Sequence, residues 1–426
     1  MKLWSVASIP RSSLQTHSAQ ISYGHKLQNV TNNPSSSRAL VTLGRALTPW
    51  LILLTFAFIT EAPRASAAAG LTVWVSPAGS DSNDGLTPDT PFRTLQRASN
   101  WLCGGSATCA GRGQPVIIRL AQKTFSATSA TRSTYSFNPG DGQVFTATSL
   151  TSWHYFDPDF PTTFQPWNYQ PGDGWAEVAA SGGYPTFDGA FSTDSGLVFT
   201  PLTAIGTGKV RLTFLYTRWQ HFIRGPIVLA GGLSTAVADT GVTVYVPTDF
   251  TANGVTFYGN YFYQVGNYFR PENPLAYGAI LANNSSGNVY QNNHFRQLSN
   301  RFTNLDSIHV HGLYISHGSN NSLVEANNFE TITGDPIRQR DRSHQTVVRN
   351  NTFTRAGAFG YMDDFYCRPN TSNSICFPKE YRSYGGLFAS NTLNGLYPQG
   401  LTGRRTVYCH DQPAGLCPAD RIKVTG

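Results

Sequence analysis

The sequence predicts an all-β chain folded as a right-handed parallel β-helix, with a short capping helix at its N-terminal end. Three observations support this prediction: a composition rich in strand and turn formers, short segments that recur along the second half of the chain, and asparagine pairs where those segments turn. Of the 426 residues, 40 are Gly, 26 Phe and 20 Tyr, while only 13% are charged. This balance favours strands and turns over long helices.

A repeated pattern runs through residues 255–393. Its copies are VTFYGNYF (255–262), NVYQNNHF (288–295), LVEANNF (323–329), VVRNNTF (347–353) and LFASNTL (387–393). A second short strand accompanies them in YGAILAN (277–283), GLYISHG (312–318) and GDPIRQR (334–340). Recurrence every 22 to 34 residues suits a solenoid in which each coil gives one strand to each of two or three parallel sheets. A β-propeller would show longer blades, and a β-sandwich would lack stacked asparagines.

The asparagine pairs predict sharp corners between strands. Stacked asparagines can hydrogen-bond to their copies in the coils above and below, and they tolerate a left-handed backbone. Aligning Gly278 with Gly312 brings Phe295 onto Phe329 without a gap.

The N-terminal 67 residues predict a secretory signal peptide with a long polar beginning. The apolar run WLILLTFAFI (50–59) follows Arg38 and Arg45 and precedes a cleavage site near Ala67. The run is too short to span a bilayer comfortably, so no stable membrane insertion is expected. Translation starting near Val41 would leave a leader of ordinary length. We therefore expect a secreted protein, in the medium or at the cell surface.

The remaining residues, 68–426, predict a single β-helix domain. Its parts are an N-terminal strand and cap (71–110), early coils with long loop excursions (125–250), regular coils (251–400) and a disulfide-pinned tail (401–426). The six cysteines suggest three local disulfides, Cys103 with Cys109, Cys367 with Cys376 and Cys409 with Cys417, although other pairings are open.

The charge of the chain argues against a nucleic-acid partner. Removing residues 1–67 takes away six of the 31 basic and one of the 24 acidic residues, so the net charge falls from +7 to about +2. A nucleic-acid groove needs a concentrated basic stripe. We expect a monomer that acts on a polysaccharide.

The start of the domain resembles a known family. The stretch VWVSPAGSDSNDGLTPDTPFRTLQRASNWL (73–102) is similar to the opening of many secreted parallel β-helix proteins of the pectate-lyase-like superfamily. The matching residues are Ser76, Gly79, Ser80, Asp81, Asn83, Gly85, Pro91, Phe92, Thr94, Gln96 and Ala98. The resemblance implies the fold and a polysaccharide groove along the outside of one sheet, without a subfamily. Pro91 can open a helix whose Leu95, Ala98 and Leu102 cover the end of the solenoid.

The stretch SIHVHGLYISHGS (307–319) supplies the candidate site. Strand alternation turns Leu313 and Ile315 inward and Tyr314 outward, with a bend at Gly312 that turns His311 outward. Aligning Ile337 with Ile315 places Arg338 on Ser316 and Gln339 on His317, while Ile280 lies beneath Tyr314. His311, Tyr314, His317 and Arg338 are thus expected on one outer flank.

Roles for this cluster follow from the resemblance to uronate-cleaving lyases. Such enzymes need a group that neutralises the C5 carboxylate, a base for the C5 proton and an acid for the departing O4. The resemblance implies Arg338 as neutraliser, His311 as base, and Tyr314 or His317 as acid. The proposed substrate contacts are His309, Arg340, Asn283 and Trp219. Asp363 and Asp364 are candidate ligands for a Ca²⁺ ion; no other cofactor is indicated.

Three alternatives stay open. A glycoside hydrolase of the same fold would use closely spaced carboxylates, but the ordered NTD, DD, GHG and RIK motifs of the polygalacturonase type are missing. A binding or adhesion solenoid would use aromatic rings as sugar platforms, namely Trp153, Trp167, Trp175, Tyr184, Trp219 and Tyr314. His309 and His311, with Asp306 nearby, have a spacing that can serve Zn²⁺.

Overall fold

A computed structural model describes sixteen stretches of the chain. They are residues 70–105, 112–122, 144–146, 150–157, 159–189, 196–199, 210–223, 225–231, 233–237, 243–247, 252–266, 278–299, 310–357, 359–364, 380–395 and 405–426. The predicted signal peptide, 1–67, lies outside them. No helix among these stretches is long and apolar enough to cross a membrane.

Three long sheets contain nearly all the strands. Sheet 1 consists of β1 (Leu71–Val75), β2 (Val116–Leu120), β5 (Thr162–Pro166), β8 (Leu212–Leu215), β13 (Thr256–Tyr258), β16 (Val289–Gln291), β19 (Leu323–Glu325), β22 (Val347–Arg349), β25 (Gly386–Ala389) and β28 (Ile422–Thr425). Sheet 2 consists of β3 (Val144–Thr146), β6 (Thr186–Asp188), β9 (Arg218–Phe222), β14 (Tyr261–Val265), β17 (His294–Leu298), β20 (Asn328–Ile332), β23 (Thr352–Ala356) and β26 (Thr392–Asn394). Sheet 3 consists of β4 (Leu150–Trp153), β7 (Gly196–Phe199), β10 (Ile227–Ala230), β15 (Gly278–Asn283), β18 (His311–Ser316), β21 (Ile337–Arg340), β24 (Phe359–Asp364) and β27 (Arg405–Cys409).

The order of the strands confirms the predicted parallel β-helix. From β13 onward the chain visits sheet 1, sheet 2 and sheet 3 in turn, and each strand pairs in parallel with its counterpart one coil away. An antiparallel hairpin, β11 (Leu233–Val237) with β12 (Thr243–Pro247), branches off after β10. The described residues contain the helices α1 (Leu95–Leu102) and α2 (Trp175–Ala180) and a 3-10 turn at Pro413–Gly415.

Aromatic stacks fill the interior behind sheet 2. Phe295 lies on Phe329 as predicted, with ring centroids 4.8 Å apart, and the stack continues to Phe353 at 5.1 Å. Trp219 belongs to the same column and stacks on Phe187 at 4.2 Å. Each ring covers the next, so every coil buries apolar surface against its neighbours.

A buried asparagine ladder forms the corner between sheets 1 and 2. Its members are Asn260, Asn293, Asn327, Asn351 and the partly exposed Asn391. The side-chain oxygen of each member after Asn260 accepts from the backbone and side-chain N–H groups of the member before it. The prediction that stacked asparagines bond to their copies is confirmed. The left-handed backbone, however, belongs to the residue just before each one: Gly259, Asn292, Ala326, Asn350 and Ser390.

Both ends of the solenoid core are covered. Helix α1 buries Leu95, Ala98 and Leu102 as predicted, but it begins after Thr94, whose hydroxyl caps it by accepting from the Arg97 N–H at 3.1 Å. Pro91 does not open the helix, because the next residue, Phe92, is bridged to β1.

At the other end, Arg421 is buried and donates to Asp363 and Asp411. The Cys409–Cys417 disulfide forms as predicted. Cys103 is also disulfide-bonded, while Cys109, Cys367 and Cys376 lie outside the described residues.

Candidate functional site

The predicted cluster lies on sheet 3, and two of its four members, His311 and Tyr314, are buried. A Cβ on Gly312 would face the Phe329 ring, at 2.8 Å, so Gly312 and Leu313 both point inward and His311 turns outward, as the predicted bend requires. Even so, His311 is 0% exposed and Tyr314 is 5% exposed. The imidazole of His311 bonds to the Asp335 carbonyl at 2.7 Å and to the Arg338 guanidinium at 3.1 Å.

The register of sheet 3 corrects the predicted stacking. Arg338 lies beside Tyr314 rather than Ser316, and Gln339 lies beside Ile315 rather than His317. On the other side of β18, Leu281 lies beside Tyr314, and Gly278 pairs with His311. The prediction paired Ile337 with Ile315, whereas the structure pairs Ile337 with Leu313. A slip of two residues keeps the inward and outward faces unchanged, so strand alternation did not reveal it.

Ion pairs tie this cluster together. Arg338 donates to Asp364, which also accepts from His410 at 2.7 Å. Arg340 donates to the Tyr314 hydroxyl at 2.7 Å and to Glu380 at 2.6 Å. Burial raises the pKa of Tyr314, against the opposing effect of Arg340 and Arg338. Burial also raises the pKa of Asp335 to about 7.

Several predicted site residues lie elsewhere. His317 sits at the next corner and pairs with Asp341 at 2.9 Å. Trp219 is 1% exposed inside the core, so its ring is not available to a sugar. Asn283 is partly exposed on sheet 3, where it accepts from Ser316. His309 lies outside the described residues.

The structure does not bring the two carboxylates of the proposed Ca²⁺ pair together. Asp363 points into the core toward Arg421, while Asp364 points outward toward Arg338, so the two carboxylates cannot share an ion. Among the described residues, no group of three or more His, Cys, Asp or Glu side chains could hold a metal ion.

An open cleft lies instead on the outer face of sheet 2, where that sheet meets sheet 1. It has a volume of about 670 Å³. We call it the sheet 2 groove; its lining residues are Gly174, Trp175, Tyr184, Tyr216, Arg218, Tyr258, Tyr261, Asn292, Asn293, His294, Ala326 and Asn328.

The floor of the sheet 2 groove is one row of residues in register. Arg218, Tyr261, His294 and Asn328 occupy equivalent positions on four successive coils. The guanidinium of Arg218 lies 4.9 Å from the centre of the Tyr261 ring, and the Tyr261 and His294 ring centroids are 4.9 Å apart in an edge-to-face arrangement. Neighbouring rungs of a parallel sheet lie about 4.8 Å apart, which explains this spacing.

A buried relay fixes the orientation of Arg218. Its Nε donates to Gln220 at 2.6 Å, and the Gln220 amide donates to Asp188 at 2.7 Å. Asp188 is fully buried and also bonds to His221 Nδ1 at 2.7 Å. The arginine therefore presents a fixed positive charge next to Tyr261.

Burial lowers the pKa of His294, against the opposing effect of the Glu330 carboxylate. At neutral pH the ring is therefore neutral and can accept a proton. Its Nε2 lies 3.2 Å from the Asn328 amide nitrogen and 3.4 Å from Glu330. The side-chain oxygen of Asn328 is buried and has no hydrogen-bond partner within the described part of the chain.

Aromatic rings wall the groove at its N-terminal end. Trp175 packs edge-on against Tyr216 at 5.5 Å and Tyr184 at 5.3 Å, and the Tyr184 hydroxyl donates to the Trp175 carbonyl at 2.9 Å. Trp175 and Tyr184 are two of the rings that the sequence proposed as sugar platforms.

The sequence contained a signal for the floor of this groove. Each floor residue directly follows the corner residue of its coil, as in Asn260-Tyr261, Asn293-His294 and Asn327-Asn328. The floor residues lie 33 to 43 positions apart, so they emerge only when the repeats are aligned in register. The histidine-rich stretch drew attention because its residues are close in sequence.

Comparisons with known proteins find similarity to solved structures, at TM-scores below 0.5. No family model matches the chain, and no curated protein matches it. Among solved structures, the chain is similar to ORF18 of Geobacillus virus E2, with 12% identity, 80% of this chain and 48% of that chain covered, and a TM-score of 0.33. It is also similar to an alginate lyase from Paenibacillus sp. str. FPU-7, with 10% identity, 74% and 89% covered, and a TM-score of 0.32. A rhamnogalacturonan lyase gives 14% identity, 80% and 66% covered, and a TM-score of 0.23. The chain thus spans about half the length of the viral protein.

Proposed function

We propose that the protein is a secreted polysaccharide lyase that cleaves a uronic-acid-containing glycan by β-elimination in the sheet 2 groove. The observation that carries the proposal is the row Arg218, Tyr261, His294, in register on three neighbouring coils of an open cleft. The Cys409–Cys417 disulfide fits an oxidising compartment outside the cell.

Arg218 has the position and charge to bind the uronate carboxylate. Because Gln220 and Asp188 hold its Nε side, the guanidinium is oriented before the substrate arrives. A fixed cation next to the carboxylate makes the neighbouring C5–H more acidic, since it stabilises the negative charge that develops as the proton leaves.

His294 and Tyr261 can transfer the two protons. Neutral His294 takes the C5 proton, the electrons of the C5–H bond form the C4=C5 double bond, and the C4–O4 bond breaks. Tyr261 donates its hydroxyl proton to the departing O4. The products are an unsaturated sugar end and a new hydroxyl end, and no water is consumed.

Among the described residues that line the groove, there is no pair of carboxylates to support the hydrolase alternative. Glu330 is partly exposed one row from His294, but Asp188 is fully buried and held by Gln220 and His221. An inverting or retaining hydrolase needs two carboxyl groups facing the same bond. A glycan-binding protein would use the rings of Trp175 and Tyr184 as sugar platforms. Binding alone, however, gives no role to the row of Arg218, Tyr261 and His294.

The cluster of His311, Arg338, Tyr314 and His317 remains a second candidate site by sequence. His311 and Tyr314 are buried, while the Arg338 and His317 side chains are 11% and 16% exposed; His311 is held by Arg338, and His317 by Asp341. We prefer the sheet 2 groove because Arg218, Tyr261 and His294 together line one open cleft, in which Tyr261 and His294 are partly exposed.

The experiment is a panel of uronate polymers incubated with the purified protein. We expect ultraviolet absorbance from a conjugated double bond to grow with at least one polymer. New reducing ends without that absorbance would indicate a hydrolase, and retention on a polymer column without either product would indicate a binding protein.

A further inference from the structure

We infer that the sheet 2 groove is closed at its N-terminal end by the α2 segment, so that the enzyme works from one end of its polysaccharide and releases a short product of constant length. This inference rests on the proposed function. It concerns whether cleavage takes place near the end of the polysaccharide or within it, which the row of floor residues does not decide.

The first observation is the length of one corner. Between β5 and β6 the chain makes a detour over residues 167–185, whereas the same corner takes only two residues between β8 and β9, between β13 and β14, and in the next coils. The detour contains α2 and contributes Gly174, Trp175 and Tyr184 to the groove lining. The solenoid therefore carries a bulky insertion at one end of an otherwise regular edge.

The insertion is packed in place. Tyr169 and Val178 are 4% and 0% exposed and form a small apolar cluster with Leu215 and Tyr216. Trp175 and Tyr184 pack on the open side of this cluster. A segment anchored by buried side chains acts as a fixed wall.

The second observation is a gradient of exposure along the floor row. Thr186, the row member before Arg218, is 0% exposed, and Arg218 itself is 8% exposed. The side chain of His294 is 26% exposed. Beyond Asn328 the row continues with Thr352, partly exposed, and Thr392, exposed. Within the described stretches, the floor is covered at one end and opens toward the other.

The position of the wall sets the product size. Arg218 lies on the first rung whose floor residue lines the groove, and Tyr261 and His294 follow at about 4.8 Å per rung. One rung is close to the length of one sugar in an extended chain. The bond that is cleaved, between the sugars over Tyr261 and His294, is thus about one or two sugars from the wall. The Trp175 and Tyr184 rings of the wall offer a stacking surface to the terminal sugar.

The first test uses the wild-type protein and needs no variant. We expect one short oligosaccharide from the earliest time points, with viscosity falling slowly relative to double-bond formation. A broad ladder of products with a fast early fall in viscosity would overturn the closed groove while leaving the lyase reaction intact. Absence of any double bond would overturn the proposed function instead.

The second test opens the wall. Trp175→Ala should broaden the product sizes and speed the early fall in viscosity. The matched control is Trp167→Ala, which removes a half-buried tryptophan of the same detour that packs on Trp74, with ring centroids 4.7 Å apart, and does not line the groove. Equal product patterns in both variants would contradict the inference.

A third arm holds even if Trp175→Ala does not fold. Wild-type protein is given oligosaccharides with a bulky group on either the reducing or the non-reducing end. A groove closed at one end predicts that one of the two blocks stops cleavage. Undiminished cleavage of both substrates would overturn the inference.

Discussion

At the scale of single residues, the groove derives its chemistry from where each side chain stands in its coil. Arg218, Tyr261 and His294 are ordinary surface residue types, and each acquires a role from neighbours on adjacent rungs. The relay through Gln220 orients the arginine, and burial keeps the histidine neutral. Two predictions follow from these contacts.

Tyr261→Phe tests the acid. The substitution removes the hydroxyl and keeps the ring that packs against Arg218 and His294. We expect kcat to fall by about 10²- to 10⁴-fold, because general acid catalysis contributes that much, with little change in KM. Tyr258→Phe is the matched control, since it removes a hydroxyl from the rim of the same groove. Equal losses in both variants would contradict the role of Tyr261.

The pH profile tests the base. Protonation of His294 should abolish its action, so activity falls on the acid side, at a pH below about 6.5, the usual pKa of histidine. The fall in activity is expected below this pH because burial lowers the pKa of His294, although the Glu330 carboxylate opposes that lowering. Glu330→Gln removes the opposing carboxylate and should move the acid limb to lower pH. Glu325→Gln, which removes a carboxylate held by Arg349 on sheet 1, should leave the limb in place. If the acid limb of the pH profile moved to higher pH in Glu330→Gln, the assignment of His294 as the base would be contradicted.

At the scale of elements, the corners of the coils determine which residues face the groove. At each corner the first of two residues takes the left-handed backbone, and the second belongs to the asparagine ladder. The residue that follows these two is the floor position of that coil. Loss of a ladder member should disturb both stability and the groove.

Asn327→Ala should lower the free energy of unfolding by about 3 kcal/mol, because it removes several buried hydrogen bonds and leaves donors without acceptors. Asn327 accepts from Asn293 and donates to the Tyr290 carbonyl and to Asn351. Asn394→Ala, on exposed β26, should change stability by less than about 0.5 kcal/mol. Thermal or denaturant unfolding measures both. A loss no larger than that of the control would show that the ladder does not stabilise the corners.

The sequence was informative about some elements and misleading about others. Repeats and asparagine pairs predicted the parallel β-helix and the Phe295–Phe329 stack, since both depend on patterns that recur along the chain. The N-terminal cap was predicted from the apolar spacing of Leu95, Ala98 and Leu102 in the opening stretch. The stacking on sheet 3 was misplaced because Leu313 and Ile315 both face inward, and strand alternation does not tell which of them pairs with Ile337. Trp219 was proposed as a sugar platform because the sequence does not show whether an aromatic side chain points inward or outward until its position in the coil is known. Helix α2 was missed because it interrupts the repeat.

At the scale of the whole molecule, the solenoid is a stack of coils whose two ends are covered in different ways. Helix α1 covers one end with apolar residues, and the other end is filled by the buried charge of Arg421 against Asp363 and Asp411. The groove lies between these ends, on coils whose stability depends on their neighbours.

Arg421→Ala should destabilise the protein by about 3 to 5 kcal/mol, because it leaves the Asp363 carboxylate buried without its partner. Arg382→Ala is the control: Arg382 also pairs with Asp411, but its side chain is 49% exposed, so its loss should cost about 1 kcal/mol or less. Unfolding monitored by fluorescence gives both values. Similar small losses would mean that the buried pair does not hold the C-terminal end.

The central claim is that β-elimination takes place in the sheet 2 groove with Arg218 as its fixed cation. The most direct measurement is the initial rate of double-bond formation on a polymer that the wild type cleaves, for Arg218→Ala beside Arg355→Ala, an exposed arginine on β23 of the same sheet. We predict a fall of about 10²- to 10³-fold in Arg218→Ala and a wild-type rate in Arg355→Ala. A folded Arg218→Ala variant that forms the double bond at the wild-type rate would contradict the account.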